Sequence, residues 1–282
     1  MQDTAGRPLV GNLQYIELTS GNPEGLARFY AELFEMPLEA CGRKWICRSA
    51  ERTLAFASGP SRTLSVAGYR VHDAAVLPPI QDRLRRAGYD ADFLDDDVFG
   101  GKALHVVDPD GNRIGFCAEP APIQTQPMNG PSGRLQHLVV GSQSASEIVK
   151  FYSSIVGFRI SDRVLGSDYS LRTCFMRSDD EHHSFAAFQT SKKGLDHHCY
   201  EVRSWNDIRD WGDRLARRRI PVKWGPGRHG PGNNLFLFFH DPDGNWVEIS
   251  SELERVPIER PAGIWPHEER TLNQWGQGLL RS

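Results

Sequence analysis

The sequence predicts an α+β fold built from four strand–helix–strands modules paired into two halves. Three observations predict it. The first is a repeat: Leu13-Gln14-Tyr15 returns as Leu135-Gln136-His137, and Phe29-Tyr30 as Phe151-Tyr152, each 122 residues later. The second is a turn sequence. Asp108-Pro109-Asp110-Gly111-Asn112 recurs 133 residues on as Asp241-Pro242-Asp243-Gly244-Asn245, which implies an insertion of about eleven residues before the second copy. The third is the stretch PAPIQTQPMNGPSG at 120–133, whose Pro, Gly and polar residues suit a linker. The chain is therefore expected to divide into residues 1–122, a linker at 123–133, a second half at 134–255 and a tail at 256–282.

The elements follow in order. YIELTS (15–20) alternates apolar and polar residues as a strand does, and PEGLARFYAELF (23–34) carries the spacing of an amphipathic helix. Three short strand-like runs complete the first module: KWICRS (44–49), RTLAFAS (52–58) and part of what precedes them. SVAGYRV (65–71) starts the pattern afresh, followed by the helix LPPIQDRLRRAG (77–88) and the strands YDADFL, KALHVVD and NRIGFCAE. The third module reads HLVVGS, helix SEIVKFYSSIVG (146–157), FRISDRV, LRTCFMR and SFAAFQ. The fourth reads HHCYEV, helix WNDIRDWGDRLARRR (205–219), PVKWGP, LFLFFHD and WVEISSE. Each DPDGN joins two strands of a hairpin, because Gly accepts positive φ and Asp and Asn cap their own turn.

Composition narrows the function. An apolar content of 39% is enough for packed cores, while a net charge of −3 without any Lys/Arg block gives no case for nucleic acid or an anionic membrane surface. Five cysteines, an odd number with no CxxC pair, argue against a disulfide framework and fit a reducing cytosol. The N-terminal MQDTAGRPLVGN lacks the apolar core of a signal peptide, and no run reaches the ~18 apolar residues of a membrane span. A soluble, cytoplasmic protein is expected.

Histidine is unevenly placed. Of ten, only His72 and His105 precede residue 131, and six lie between 182 and 240. In LDHHCYEV the neighbours His197 and His198 point to opposite faces of a strand, so at most one faces a given interior. His137 opens the first strand of the third module, and the His197-His198 pair opens that of the fourth. Glu248 lies in the last strand, four residues after Gly244 and on the face opposite Val247 and Ile249. Spacings of 60 and 51 residues are too long for one helix or hairpin, so only the fold can join these groups. Two neutral imidazoles and one carboxylate are the ligand set of the facial triad, which leaves open positions on non-haem Fe(II). The first half has Tyr15 in the place of His137 and Gly115 in the place of Glu248, and is expected to be a metal-free scaffold.

LQHLVV, HHSFAAF, LDHHCYEV, GPGRHGPGNNLFLFF and DPDGNWVEI together resemble the type I extradiol ring-cleavage dioxygenases of the vicinal oxygen chelate (glyoxalase/bleomycin resistance/dioxygenase) superfamily. The resemblance runs over residues 11–253 and is closest to two-domain members that cleave dihydroxybiphenyl and similar catechols. It implies four βαβββ modules in two vicinal-oxygen-chelate domains, with Fe(II), or Mn(II), held in the second by His137, His197 and Glu248. The family's ligand histidine stands four residues before the strand's glutamate, here Glu201, which implies His197 rather than His198. The second histidine of His182-His183-Ser184 matches the family's acid–base residue, so His183 is the catalytic candidate. His182 is the bland member of the pair, and its replacement by alanine is expected to be mild. His229 matches a histidine near the oxygen site. Ten residues before the ligand glutamate the family usually has a tyrosine that contacts the substrate. Here that substrate-binding position is Phe238, which can neither donate nor accept a hydrogen bond.

The implied reaction is meta cleavage of a small aromatic diol by O₂, in aromatic compound degradation and in a homo-oligomer. The same scaffold also hosts metal-dependent isomerases, lyases and small-molecule-binding proteins. The trio together with His183 favours oxygen chemistry. The tail, with Trp265 and Trp275, is too short to be a domain and is expected to cover a core edge or contact another subunit.

Overall fold

The computed structural model describes residues 9–50, 52–118, 131–257 and 259–281, so most of the expected linker, 123–130, lies outside the described residues. The first module comprises β1 (Gly11–Ser20), α1 (Pro23–Phe34), β2 (Leu38–Cys41), β3 (Lys44–Arg48) and β4 (Thr53–Ser58). The second comprises β5 (Thr63–Val71), α2 (Leu77–Arg86), β6 (Ala91–Asp96), β7 (Gly101–Val107) and β8 (Arg113–Cys117). The third is β9 (Arg134–Ser142), α3 (Ala145–Lys150), β10 (Arg159–Leu165), β11 (Leu171–Arg177) and β12 (Phe185–Gln189). The fourth is β13 (Gly194–Glu201), α4 (Trp205–Arg217), β14 (Trp224–Arg228), β15 (Leu235–His240) and β16 (Trp246–Ser251). The tail adds β17 (Gly263–Pro266) and a single turn, α5 (Glu269–Leu272). All four modules are thus βαβββ units in a mixed α+β fold.

Local chemistry explains the main boundaries. The Asn22 side chain accepts from the Gly25 N–H at the start of α1, and Pro23 takes the first position, where its missing N–H costs nothing. The helix expected over 146–157 is α-helical only to Lys150 and continues as a π-helical stretch, Phe151–Val156, ended by Gly157 at φ 110°. In each DPDGN turn the first Asp accepts the N–H of the Asn four residues on, at 2.8 Å for Asp108 and 2.9 Å for Asp241. The turn glycines Gly111 and Gly244 sit at φ 95° and 81°.

The strands form two sheets, β2-β3-β4-β1-β5-β8-β7-β6 and β14-β15-β16-β13-β9-β12-β11-β10-β17. Within every module the first strand runs parallel to the last, and the two modules of a sheet meet along one antiparallel seam, β1/β5 or β9/β13. One apolar core spans both halves. Phe34 of the first half packs on Tyr200 and Trp211 of the second, with centroids 4.5 and 4.9 Å apart. The repeat is reciprocal across this core. Tyr30 donates to Asp241 at 2.8 Å and its counterpart Tyr152 donates to Asp108 at 3.3 Å. Each half's helix therefore secures the other half's hairpin turn.

On its other face the first sheet is filled by its own side chains. Tyr15 donates to Asp96 at 2.6 Å, His105 meets the same carboxylate at 3.1 Å, and Phe99 packs edge-on to Tyr15 at 4.8 Å. Gly68 is needed there, because a Cβ would fall 2.1 Å from the Tyr15 ring. The corresponding face of the second sheet holds the candidate site.

Candidate metal centre

Three strands place the expected trio on one face. His137 lies on β9, His197 beside it on β13 and Glu248 on β16, which pairs with β13. His137 Nε2 stands 3.2 Å from Glu248 Oε2 and 3.4 Å from His197 Nε2, and His197 Nε2 stands 3.3 Å from the same Oε2. All three residues are at least 95% buried. A bulge re-aims the middle one. Leu195 faces Val140 and His197 faces Val139, leaving Asp196 as an extra residue. Strand alternation sends His198 the other way. Its Nε2 meets the Tyr30 hydroxyl at 3.2 Å in the core between the halves, and burial pushes its pKa down to about 3.

Outer partners set the tautomers. Gln136 uses its amide N–H on the His183 carbonyl at 2.6 Å, so its Oε1 accepts from His137 Nδ1–H at 2.5 Å. His197 Nδ1–H donates to Asp196 Oδ1 at 2.6 Å, and Arg281 holds that oxygen at 2.9 Å. Both Nε2 lone pairs then face the carboxylate with no proton between them. Metal ions bond such donors at about 2.0–2.2 Å, which sets donors at right angles about 3 Å apart. The spacing and the donor set therefore fit a divalent cation. Cys199 lies on the same face, with its sulfur within 4.8 Å of donor atoms of His137 and Glu248. His197 Nε2 stands closer, 3.4 and 3.3 Å from the other two donors, which favours it as third donor.

The remaining expected residues surround a cavity of about 470 Å³ counted to its open mouth. His183 and His229 line it, with Phe238, Phe188 and Trp224 as aromatic wall. His229 donates from Nδ1 to the Leu272 carbonyl at 2.5 Å, which leaves its Nε2 3.6 Å from Glu248 Oε1. Asn234 reaches the same Oε1 at 3.2 Å. Phe238 is fully buried, edge-on to His197 at 5.2 Å and stacked on Trp224 at 5.1 Å.

Residues 134–249 match the model of the Glyoxalase/Bleomycin resistance protein/Dioxygenase superfamily. The second half is a domain of that superfamily. The chain is 27% identical to metapyrocatechase 2 of Cupriavidus necator over 70% of its own length and 67% of the relative's. It is also 27% identical to an iron-dependent extradiol dioxygenase of Rhodococcus jostii, over 77% and 79% of the two chains. Homoprotocatechuate 2,3-dioxygenase from Brevibacterium fuscum shares the fold, with a TM-score of 0.84 at 21% identity over 99% of this chain and 93% of the other.

Several residues at this glyoxalase-superfamily site escaped the sequence reading. His182, whose loss is expected to be mild, is fully buried and bonds His183 at 3.0 Å. The pair lies in the loop before β12 rather than in a strand, so alternation does not separate them. Thr271, Leu272, Leu279 and Arg281 bring the tail into the cavity wall. One signal was present: each candidate ligand histidine follows a hydrogen-bond acceptor, Gln136 before His137 and Asp196 before His197.

Proposed function

We propose that the chain is an Fe(II)-dependent extradiol dioxygenase that opens a catechol-type ring beside its two hydroxyls and adds both atoms of O₂. The observation that carries this reading is the open-faced donor trio at the floor of an aromatic-walled cavity. His137, His197 and Glu248 would hold the ion, and Mn(II) suits the same mixed nitrogen and oxygen donors. Bound there, the metal supplies adjacent open positions for the diol and O₂ and the spin chemistry that oxygen requires.

The chain's own residues orient and manage protons. Phe188, Trp224 and Phe238 give the cavity an apolar aromatic wall against which a flat substrate can pack with water excluded. His183 stands with its ring centroid 4.3 Å from that of His137, within reach of a diol bound at the trio. Burial, with His137 and His182 nearby, holds its pKa well below the ordinary value, so it rests neutral and can take a hydroxyl proton. His229, beside Glu248, is the candidate on the oxygen side. Phe238 supplies packing only.

The reading extends to two vicinal-oxygen-chelate domains, residues 1–122 and 134–255, of which the second binds the metal. It further extends to a cytoplasmic homo-oligomer acting on a small diol, without nucleic-acid or membrane partners. Five free thiols fit a reducing compartment, and a net charge of −3 gives no case for nucleic acid; among the described residues no helix is long and apolar enough to cross a membrane. The test is a panel of substituted catechols offered to the iron-loaded protein while oxygen uptake and the yellow ring-opened product are followed. Uptake matched to product is expected. One iron per chain with no uptake on any diol would overturn the proposal.

A further inference from the structure

Behind His183 runs a buried chain of polar groups. His183 Nδ1 lies 3.0 Å from His182 Nδ1, and His182 Nε2 lies 3.0 Å from Asp162 Oδ2. His182 is 0% exposed, and Asp162 and His183 are each 3% exposed. A carboxylate only accepts, so His182 must donate from Nε2. A neutral His182 then has a bare Nδ1, and the short contact requires His183 to donate into it from its own Nδ1. The one nitrogen of His183 left for the cavity is Nε2, without a proton.

Asp162 is itself held by the tail. Trp265 Nε1 donates to Oδ2 at 2.7 Å, while Arg260 and the Gly263 N–H each donate to Oδ1 at 3.0 Å. Gly263 cannot carry a side chain, because a Cβ would fall 2.5 Å from that oxygen. These contacts form where β17 pairs with β10.

We propose that Asp162 and His182 are positioning residues that keep the His183 proton on Nδ1, so that bare Nε2 faces the cavity as acceptor, and that the tail strand completes the device by saturating Asp162. The inference rests on the reading of His183 as the group that takes the substrate's proton. An inverted tautomer would present a donor where an acceptor is needed, which is how loss of an orienting carboxylate disables other histidine bases. A proton taken at Nε2 can also be passed on, since His183 can release its Nδ1 proton to His182 beside the Asp162 carboxylate.

The test begins on the full chain loaded with diamagnetic Zn(II), by long-range proton–nitrogen NMR correlation of the histidine rings, with His183→Gln used for assignment. The expected spectrum has His183 protonated at Nδ1 and bare at Nε2. A proton on Nε2 overturns the proposal, whatever the enzyme's activity. Two variants then separate orientation from packing in the iron-loaded enzyme. His182→Phe fills the space and removes both hydrogen bonds. It should lower kcat at least tenfold, with KM and iron content within about threefold of the parent. His182→Gln can donate to Asp162 and accept from His183, and should restore both the tautomer and most of the rate. A His182→Phe enzyme with unchanged tautomer and kcat overturns the proposal, as does a folded His182→Gln enzyme no better than His182→Phe. Absence of oxygen uptake in the parent would defeat the dioxygenase reading and leave the tautomer result standing.

Discussion

Asp196→Ala should weaken metal binding without touching a ligand. Asp196 occupies the bulge of β13, and its Oδ1 takes the His197 Nδ1–H at 2.6 Å and Arg281 at 2.9 Å. Burial would raise this carboxyl, but Arg281 and His197 outweigh it and keep it below its ordinary value, so the bond to His197 is charge-assisted. Alanine leaves His197 Nδ1 without an acceptor, and the ring can turn or move its proton to the nitrogen that should bind metal. A hydrogen bond to a charged group is worth about 1.5–3 kcal/mol, and loss of such an outer partner costs about 10- to 100-fold in metal affinity. Asp196→Asn keeps an acceptor for His197 and should lose less than about tenfold. Anaerobic competition between the protein and a chelator for Fe(II), with urea denaturation to confirm folding, measures both. A folded Asp196→Ala protein with affinity within about twofold of the parent would refute the reasoning.

Three further outcomes are expected. Phe238→Tyr puts a hydroxyl into a packed aromatic wall, so it should raise KM for phenyl-substituted catechols and leave plain catechol within about threefold; equal shifts on both would contradict this. Glu201 is pushed up to about 7, chiefly by burial. Its folded-state pKa lies above the unfolded value of about 4.3, so its contribution is fully favourable below that value and is lost as pH rises through 7. Glu201→Gln should therefore stabilise the protein more at pH 8 than at pH 5, by at most about 3 kcal/mol in urea melts, and a pH-independent difference would sink the argument. Tyr30→Phe deprives Asp241 and His198 of their shared hydroxyl. It should cost about 1–3 kcal/mol of stability while iron content stays unchanged, as calorimetry and metal analysis can show.

The modules, most of their strands and the two DPDGN hairpins were legible because they are periodic and repeated. Equivalent positions in equivalent modules bring His137 and Glu248 together although 111 residues separate them. Alternation allowed only one of the HH pair to face the other donors and the resemblance implied which; the structure turns His197 toward His137 and His198 toward Tyr30. What could not be read depends on contacts without local pattern. Strand β17 has four residues and pairs with a strand about 100 positions earlier, so nothing in its own spacing announces it. The bond from Trp265 to Asp162 and the place of Arg281 against Asp196 are equally non-local. The π-helical end of α3 satisfies the same amphipathic spacing as an α-helix over so short a stretch, and only the backbone tells them apart.

The most direct test of the account is the fate of labelled oxygen. The iron-loaded protein is given a catechol under oxygen-18 gas, the product is reduced with borohydride to fix its aldehyde oxygen before exchange, and its mass is read. The account predicts a ring-opened product with two labelled oxygens, formed by the parent chain and absent when His197→Ala removes a ligand of the trio. A product with one label or none, or labelled product still formed by His197→Ala, would contradict it.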